Sequence, residues 1–172
     1  GRLYLVPSTL DFGCSGETPD LQEALPLGVI RVAAGLSHWV TENAKTTRAF
    51  LKRVAALTPL ARPLQEIDIR ELPRPAKGGN PAPGPTSLDA LLAPALAGHD
   101  IGLVSEAGMP AIADPGSSVV RAAHDLGLQV VPLTGPMSLM LALATSGLNG
   151  QNFAFAGYLP QDPSGRAQRI RE

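Results

Sequence analysis

A single cysteine, Cys14, stands among 172 residues, so neither an intrachain disulfide framework nor a cysteine-based metal site is available. The three histidines, His38, His99 and His124, are scattered without metal-ligand spacing, and no metal is expected. Aromatic residues are only 4% of the chain, too thin a supply for a base-stacking platform. Charge is balanced at 14 basic against 15 acidic residues, so no bulk field draws the chain to polyanions, although a local basic patch stays open. The longest continuous apolar run, residues 139–144, is far short of the roughly 20 residues that cross a bilayer. The first residues lack the charged-then-apolar pattern of a secretory leader. A reducing cytoplasm and no membrane partner are the expectation.

What is present is a substantial apolar fraction, 44%, enough to form a real core. Short apolar runs alternate with helical patterns, the mark of strand–helix units around a largely parallel sheet. Strands are predicted at LYLV (3–6), VIRVAA (29–34), LQEIDI (64–69), DIGLV (100–104) and LQVVPL (128–133). LQEIDI alternates apolar and polar residues, as a strand near the sheet edge would. Helices are predicted from Thr41 or Glu42 to about Ala56, from Thr86 or Ser87 to Gly98, from Gly116 to Leu126, and from Ser138 to Gly147. Pro94 inside the second of these predicts a kink or an early stop.

Five prolines and three glycines between Pro73 and Pro85 exclude regular structure there. The segment reads as a long loop, either a substrate arm or a surface insertion, with Arg70, Arg74 and Lys77 as possible phosphate contacts. Beyond residue 150, NFAFAGYLP (152–160) reads as extended, and QDPSGRAQRIRE begins a basic helical pattern.

Open α/β sheets hold ligands beyond the carboxyl ends of their strands. Three stretches leave predicted strand ends there: VPSTLDFG, VSEAGMPAIADPG (104–116) and LTGPMS. Gly108, Gly116 and Gly135 carry no side chain, which predicts close approach of a ligand to the backbone. Helix starts near Ser117 and Ser138 would aim free N–H groups at it. Glu106 and Asp114 suit a ribose diol or an ammonium. None of the three carries a dinucleotide or phosphate-binding glycine motif, which favours a nucleoside without a phosphate chain. Ordinary tight turns would also produce such loops.

In that order, LYLVP, VSEAGMPAIADPG, VVPLTGPMSLMLAL and SGLNGQNFAFAGYLP resemble the landmarks of the tetrapyrrole methylase superfamily. Within it they are most similar to the branch that methylates a cytidine ribose 2′-oxygen in small-subunit ribosomal RNA. The resemblance implies an α/β three-layer sandwich with a mainly parallel five-stranded sheet, the first domain of the tetrapyrrole methylase fold. It implies S-adenosylmethionine as cofactor, ribosomal RNA or the small ribosomal subunit as partner, and a homodimer. Residues 1–150 would be the N-terminal methylase domain and 151–172 a connector and the start of a second domain that supplies the other wall of the cofactor cleft. Carried across, Pro7 and Leu10 match the first cofactor loop. Ser105, Glu106, Ala107, Gly108, Pro110, Asp114, Pro115 and Gly116 match the second. Gly135, Pro136, Met137 and Ser138 match the third.

The chain also departs from that branch. Glu106 stands where aspartate is usual, STLDFGCSGETP replaces a P-I-G-N run, and TENAK replaces A-E-D-T-R. In the last, Glu42 is kept while Asn43 and Lys45 take the places of aspartate and arginine. A histidine-containing loop gives way to the proline-rich segment. Glu42, Glu106 and Asp114 are the candidate proton acceptors; each could instead be a cap or an anchor. A tetrapyrrole or other small acceptor is one alternative reading. A relative that binds cofactor or RNA without catalysis is the other.

Overall fold

Five strands of four residues each form the sheet: β1 (Arg2–Leu5), β2 (His38–Thr41), β3 (Asp68–Glu71), β4 (Ile101–Val104) and β5 (Gln129–Pro132). Their order is β3-β2-β4-β1-β5 and every pairing is parallel. This is a computed structural model, and it describes residues 1–11, 14–15, 18–73, 88–113 and 116–172.

Because successive strand side chains point to opposite faces, each strand feeds two cores. Tyr4, Trp39 and Val104 join one cluster with α2 (Leu27–Gly35) and α3 (Ala44–Leu57), which contribute Ile30, Ala33, Phe50, Leu51 and Val54. Leu3, Val40 and Leu103 join the other with α4 (Leu88–Leu96) and α5 (Ser117–Asp125), which contribute Leu91, Leu92, Val119 and Ala123. Helix, sheet and helix make three layers, the expected α/β sandwich. Trp39 is buried because its register partner in β4 is Gly102: a Cβ there would lie 2.7 Å from the indole ring. Burying that ring contributes on the order of several kcal/mol.

Two predicted elements are corrected. Residues 29–34 are not a strand but the body of α2. The β-branched Val29, Ile30 and Val32 suggest extension, yet Val29, Ile30, Ala33 and Ala34 fall on one helical face and are buried there. The Pro26 carbonyl accepts from Val29 N and Ile30 N and so opens the helix. The missing strand is β2, hidden in HWVT. The predicted strand at 64–69 starts later, at Asp68, behind a short 3-10 turn (Leu64–Glu66) set by Pro63; its place at the sheet edge is as expected.

Pro94 does not stop α4, which continues to Leu96. A proline there leaves the carbonyl four residues earlier without its helical donor. That carbonyl, on Ala90, accepts from Arg70 Nη1 at 2.9 Å instead. Arg70 also pairs with Asp68 at 2.7 Å, so it braces the fold rather than standing ready for phosphate. Arg74, Lys77, Thr86 and Ser87 lie outside the described residues.

The chain divides into two compact units, Gly1–Leu139 and Met140–Glu172. The first holds the sheet and both apolar clusters. Helix α6 (Ser138–Ser146) begins in the first and continues into the second, ending before Gly147 in the left-handed region. The second also carries α7 (Pro163–Arg171), whose N-terminus is capped by Asp162 accepting from Gly165 N at 2.7 Å. Between them residues 152–160 form no regular strand, and Phe155 meets Tyr158 edge-on. Among the described residues no helix is long and apolar enough to cross a membrane.

Candidate functional site

In the middle of the sheet, adjacent strands send their chains to opposite faces. After β1 the chain turns toward α2; after β4 it turns toward α5. Such a reversal opens a crevice at the carboxyl edge, the usual place for a ligand in this class of sheet.

The loops that leave β1, β4 and β5 meet at this point. Ser8 N donates to Gly108 O at 2.9 Å, and the two residues form an isolated antiparallel bridge. Ser8 Oγ donates to Ser105 O at 3.0 Å. A Cβ on Gly108 would come within 3.1 Å of Leu10 and 3.3 Å of the Pro136 carbonyl, so all three loops touch at one residue. A Cβ on Gly135 would lie 2.3 Å from the Pro7 ring. The space beside these two glycines is therefore filled by neighbouring loops. Their lack of a side chain serves the close packing of loop on loop, where direct approach of a ligand was the expectation.

The loop after β4 is also held in an unusual shape. Gly108, Ala111 and Ala113 all have φ between 58° and 70°, and only glycine adopts this region without cost. Surrounding contacts must hold the two alanines there, and such positions cluster at functional sites. Pro110 and Gly116 are buried, Ala107 and Ser138 are exposed, and Met137 is half-buried. Asp114 and Pro115 lie outside the described residues.

On the α3 side of β4 lies a cavity of about 240 Å³. One wall is the loop after β1, with Ser8, Thr9 and Asp11; the opposite wall is α3, with Thr46, Thr47 and Arg53. The end of β4 supplies Ser105 and Glu106, and Phe50 forms an apolar patch. Of the residues carried over to the cofactor, Ser105 and Glu106 line this space; Pro7, Gly108 and residues 135–138 do not. Leu10 borders a neighbouring hollow of about 370 Å³ with Cys14 and Thr18.

Helix α3 owes its position to its first turn. Asn43 caps it, its Oδ1 accepting from Lys45 N at 2.9 Å, and Glu71 at the end of β3 accepts from Ala44 N at 2.8 Å. Thr41 and Thr47 join Oγ1 to Oγ1 at 2.5 Å beneath the turn. Asn43 in TENAK thus does the capping that an aspartate would do equally well. Glu42 accepts from Glu106 N at 3.3 Å, which ties the loop after β2 to the loop after β4 and brings two of the three candidate proton acceptors together.

Arg53 went unnoticed in the sequence because a lone arginine late in a helix resembles any solvated charge. Here it reaches across to the loop after β1. Nη1 donates to Thr9 Oγ1 at 3.2 Å and Asp11 Oδ2 at 3.1 Å, and Nη2 donates to Pro19 O at 2.9 Å. Burial opposes ionisation of Asp11, but hydrogen bonds from Thr9 and its own backbone and the Arg53 charge outweigh it, so the carboxyl titrates below the usual carboxylate range. No group of three or more potential metal ligands occurs among the described residues.

A parallel sheet with its reversal point, three interlocked loops and a polar cavity at one edge define an α/β ligand-binding domain. Comparison with curated proteins narrows the class. The chain is 41% identical over 85 residues to Ribosomal RNA small subunit methyltransferase I of Xylella fastidiosa, covering 49% of this chain and 31% of that protein. It is 45% identical over 74 residues to the protein of the same name from Pseudomonas aeruginosa (43% and 26% covered). For the protein of that name from Escherichia coli O157:H7 it is 41% over 83 residues (48% and 29%). The match thus spans less than a third of each of these relatives. They bear the name of the activity that the motif resemblance implies. No family model matches the chain.

Proposed function

We propose that this chain is the cofactor-binding domain of an S-adenosylmethionine-dependent methyltransferase that acts on a ribose 2′-oxygen of small-subunit ribosomal RNA. One observation carries the reading: the three loops carried over to the cofactor leave three strands that are neighbours in the sheet and meet around Gly108. The similarity to three named ribosomal RNA methyltransferases supports it.

The residues present suit the cofactor. Residues 105–108 and 135–138 would hold it, their small side chains leaving the edge of the crevice open, and the nearby carboxylates Glu42 and Glu106 favour a cation. When bound, the cofactor supplies an electrophilic methyl group. The chain's own part is alignment, because in-line displacement depends on how the acceptor is held. A neutral ribose hydroxyl also needs a proton acceptor within hydrogen-bond reach. Glu42 and Glu106, joined through Glu106 N, are the pair we assign to it; Asp114 remains the third candidate. The same reading includes residues 1–150 as the methylase domain, 151–172 as a connector to a second one, a homodimer, and a cytoplasmic location.

The test is calorimetry with S-adenosylmethionine followed by transfer of labelled methyl to small ribosomal subunits. Binding together with label in a ribose 2′-oxygen is expected, and Glu106→Gln should lower transfer by about 100-fold with binding kept. Label on a porphyrinoid would favour the small-acceptor alternative, and binding without transfer to any acceptor a non-catalytic relative. No heat at high cofactor concentration overturns the proposal.

A further inference from the structure

We propose that the cavity between α3 and the loop after β1 is a subsite for a ribose diol of the methyl acceptor, and that Arg53 is the residue that positions its outer wall. The inference rests on the methyltransferase reading only for the word acceptor; the diol specificity comes from the cavity itself.

The cavity has many hydrogen-bond acceptors and few free donors. Ser8 Oγ gives its hydrogen to Ser105 O, Thr46 Oγ1 to Asn43 O, Ser105 Oγ to Ala107 O and Thr9 Oγ1 to Asp11. A hydroxyl has one hydrogen to donate and two lone pairs to accept with, so each of these now offers acceptor capacity. The carboxylates of Asp11 and Glu106 are acceptors when ionised. Arg53, the cationic side chain of the lining, directs Nη1 and Nη2 to Thr9, Asp11 and the Pro19 carbonyl. Such a site disfavours phosphate, which brings only acceptors, and suits a neutral group rich in O–H donors. A furanose ring with adjacent hydroxyls fits about 240 Å³, and Phe50 meets its apolar face.

Its position separates it from the donor side. Residues 135–138 do not line the cavity, whereas Ser105 and Glu106 belong both to the lining and to the loop carried over to the cofactor. A group held there lies beside the donor, as an acceptor must. The wall formed by Ser8, Thr9 and Asp11 is fixed at two points: the Ser8–Gly108 bridge on one side and the three hydrogen bonds of Arg53 on the other. Arg53 touches no reacting atom in this arrangement; it holds the wall. A lysine at 53 keeps the charge but loses the planar fork that joins Thr9, Asp11 and Pro19.

The experiment is nuclear magnetic resonance titration of the isotopically labelled chain with cytidine and 2′-deoxycytidine, each with and without S-adenosylhomocysteine. Cytidine should shift the amides of Thr46, Thr47, Ser105 and Glu106, and the 2′-deoxy compound should bind about 10-fold more weakly, the loss of one well-placed hydrogen bond. Saturating S-adenosylhomocysteine should not displace cytidine. Arg53→Lys should weaken cytidine by about 10-fold and leave S-adenosylhomocysteine affinity within about twofold. Thr46→Val gives a second variant on the other wall if the first does not fold. Equal binding of the two nucleosides, displacement by S-adenosylhomocysteine, or no shift at these four amides overturns the subsite. Methyl transfer in the absence of these shifts would leave the methyltransferase reading standing and refute the subsite. The shifts without any cofactor binding would do the reverse.

Discussion

The two edges of the sheet are built from different chemistry. At the carboxyl edge, loops are joined by backbone hydrogen bonds, hydroxyls and glycine-on-ring packing, with Arg53 as the charged clamp. At the amino edge, side chains with full or titratable charges predominate. Arg2 pairs with Asp100 at 2.9 Å and lies over the Tyr4 ring, and His38 stacks on His99 with 5.0 Å between ring centroids. The same five strands support both edges. Hydroxyls and backbone groups fix geometry at close range without a strong field, which suits a site that must hold a ligand in one pose. Exposed ion pairs tolerate movement and contribute little, which suits an edge that only has to remain soluble and folded.

The sharpest way to break this contrast is at Gly135. Gly135→Val would drive a side chain into the Pro7 ring and separate the loops after β1 and β5. Stability should fall by about 3 kcal/mol, and S-adenosylhomocysteine binding should disappear even in the fraction that stays folded. Chemical denaturation and calorimetry on the same sample check both. Unchanged binding would mean that these loops do not act together.

A smaller effect is expected at the amino edge, and on pH rather than on ligand. Burial lowers the pKa of His38 from the ordinary 6.5, His99, Arg70 and Arg62 add to this, and Asp68 opposes it. The unfolded chain therefore binds this proton more readily than the folded one. The contribution is fully present above about pH 6.5 and is lost as pH falls through the lowered folded value. Denaturation midpoints across that window should decline toward acid, and His38→Gln should flatten the decline without changing cofactor affinity.

The smallest effect belongs to Arg2→Ala. This pair is largely exposed, so the denaturation midpoint in physiological salt should stay within error of the parent, with ligand binding untouched. A large loss would show that the amino edge carries more than the contrast allows.

Much of this arrangement was legible in the residues, for identifiable reasons. The strands 3–6, 100–104 and 128–133 are short apolar runs bounded by turn residues, and the glycines after α4, α5 and α6 all sit at positive φ, where a helix end needs them. The loop 104–116 announced itself by composition. What the residues concealed was set by tertiary packing. Val29, Ile30 and Val32 favour a strand locally but pack as a helix face. HWVT looks unlike a strand until Gly102 makes room for Trp39 across the sheet. Arg53 and Asp11 are 42 positions apart, and nothing local links them. The motifs indicated which loops converge, but the direction in which Gly108 and Gly135 face required the coordinates.

The division of labour around β4 has an evolutionary consequence. One wall of the polar cavity belongs to the first turns of α3, whose fold depends on Asn43, Glu71 and Thr41 rather than on the loops after β4 and β5. Exchanges at Thr46 or Ala49 can therefore reshape what is admitted while the donor-side framework stays as it is. A lineage with this layout can change its target by small edits to one helix, without rebuilding its shared chemistry.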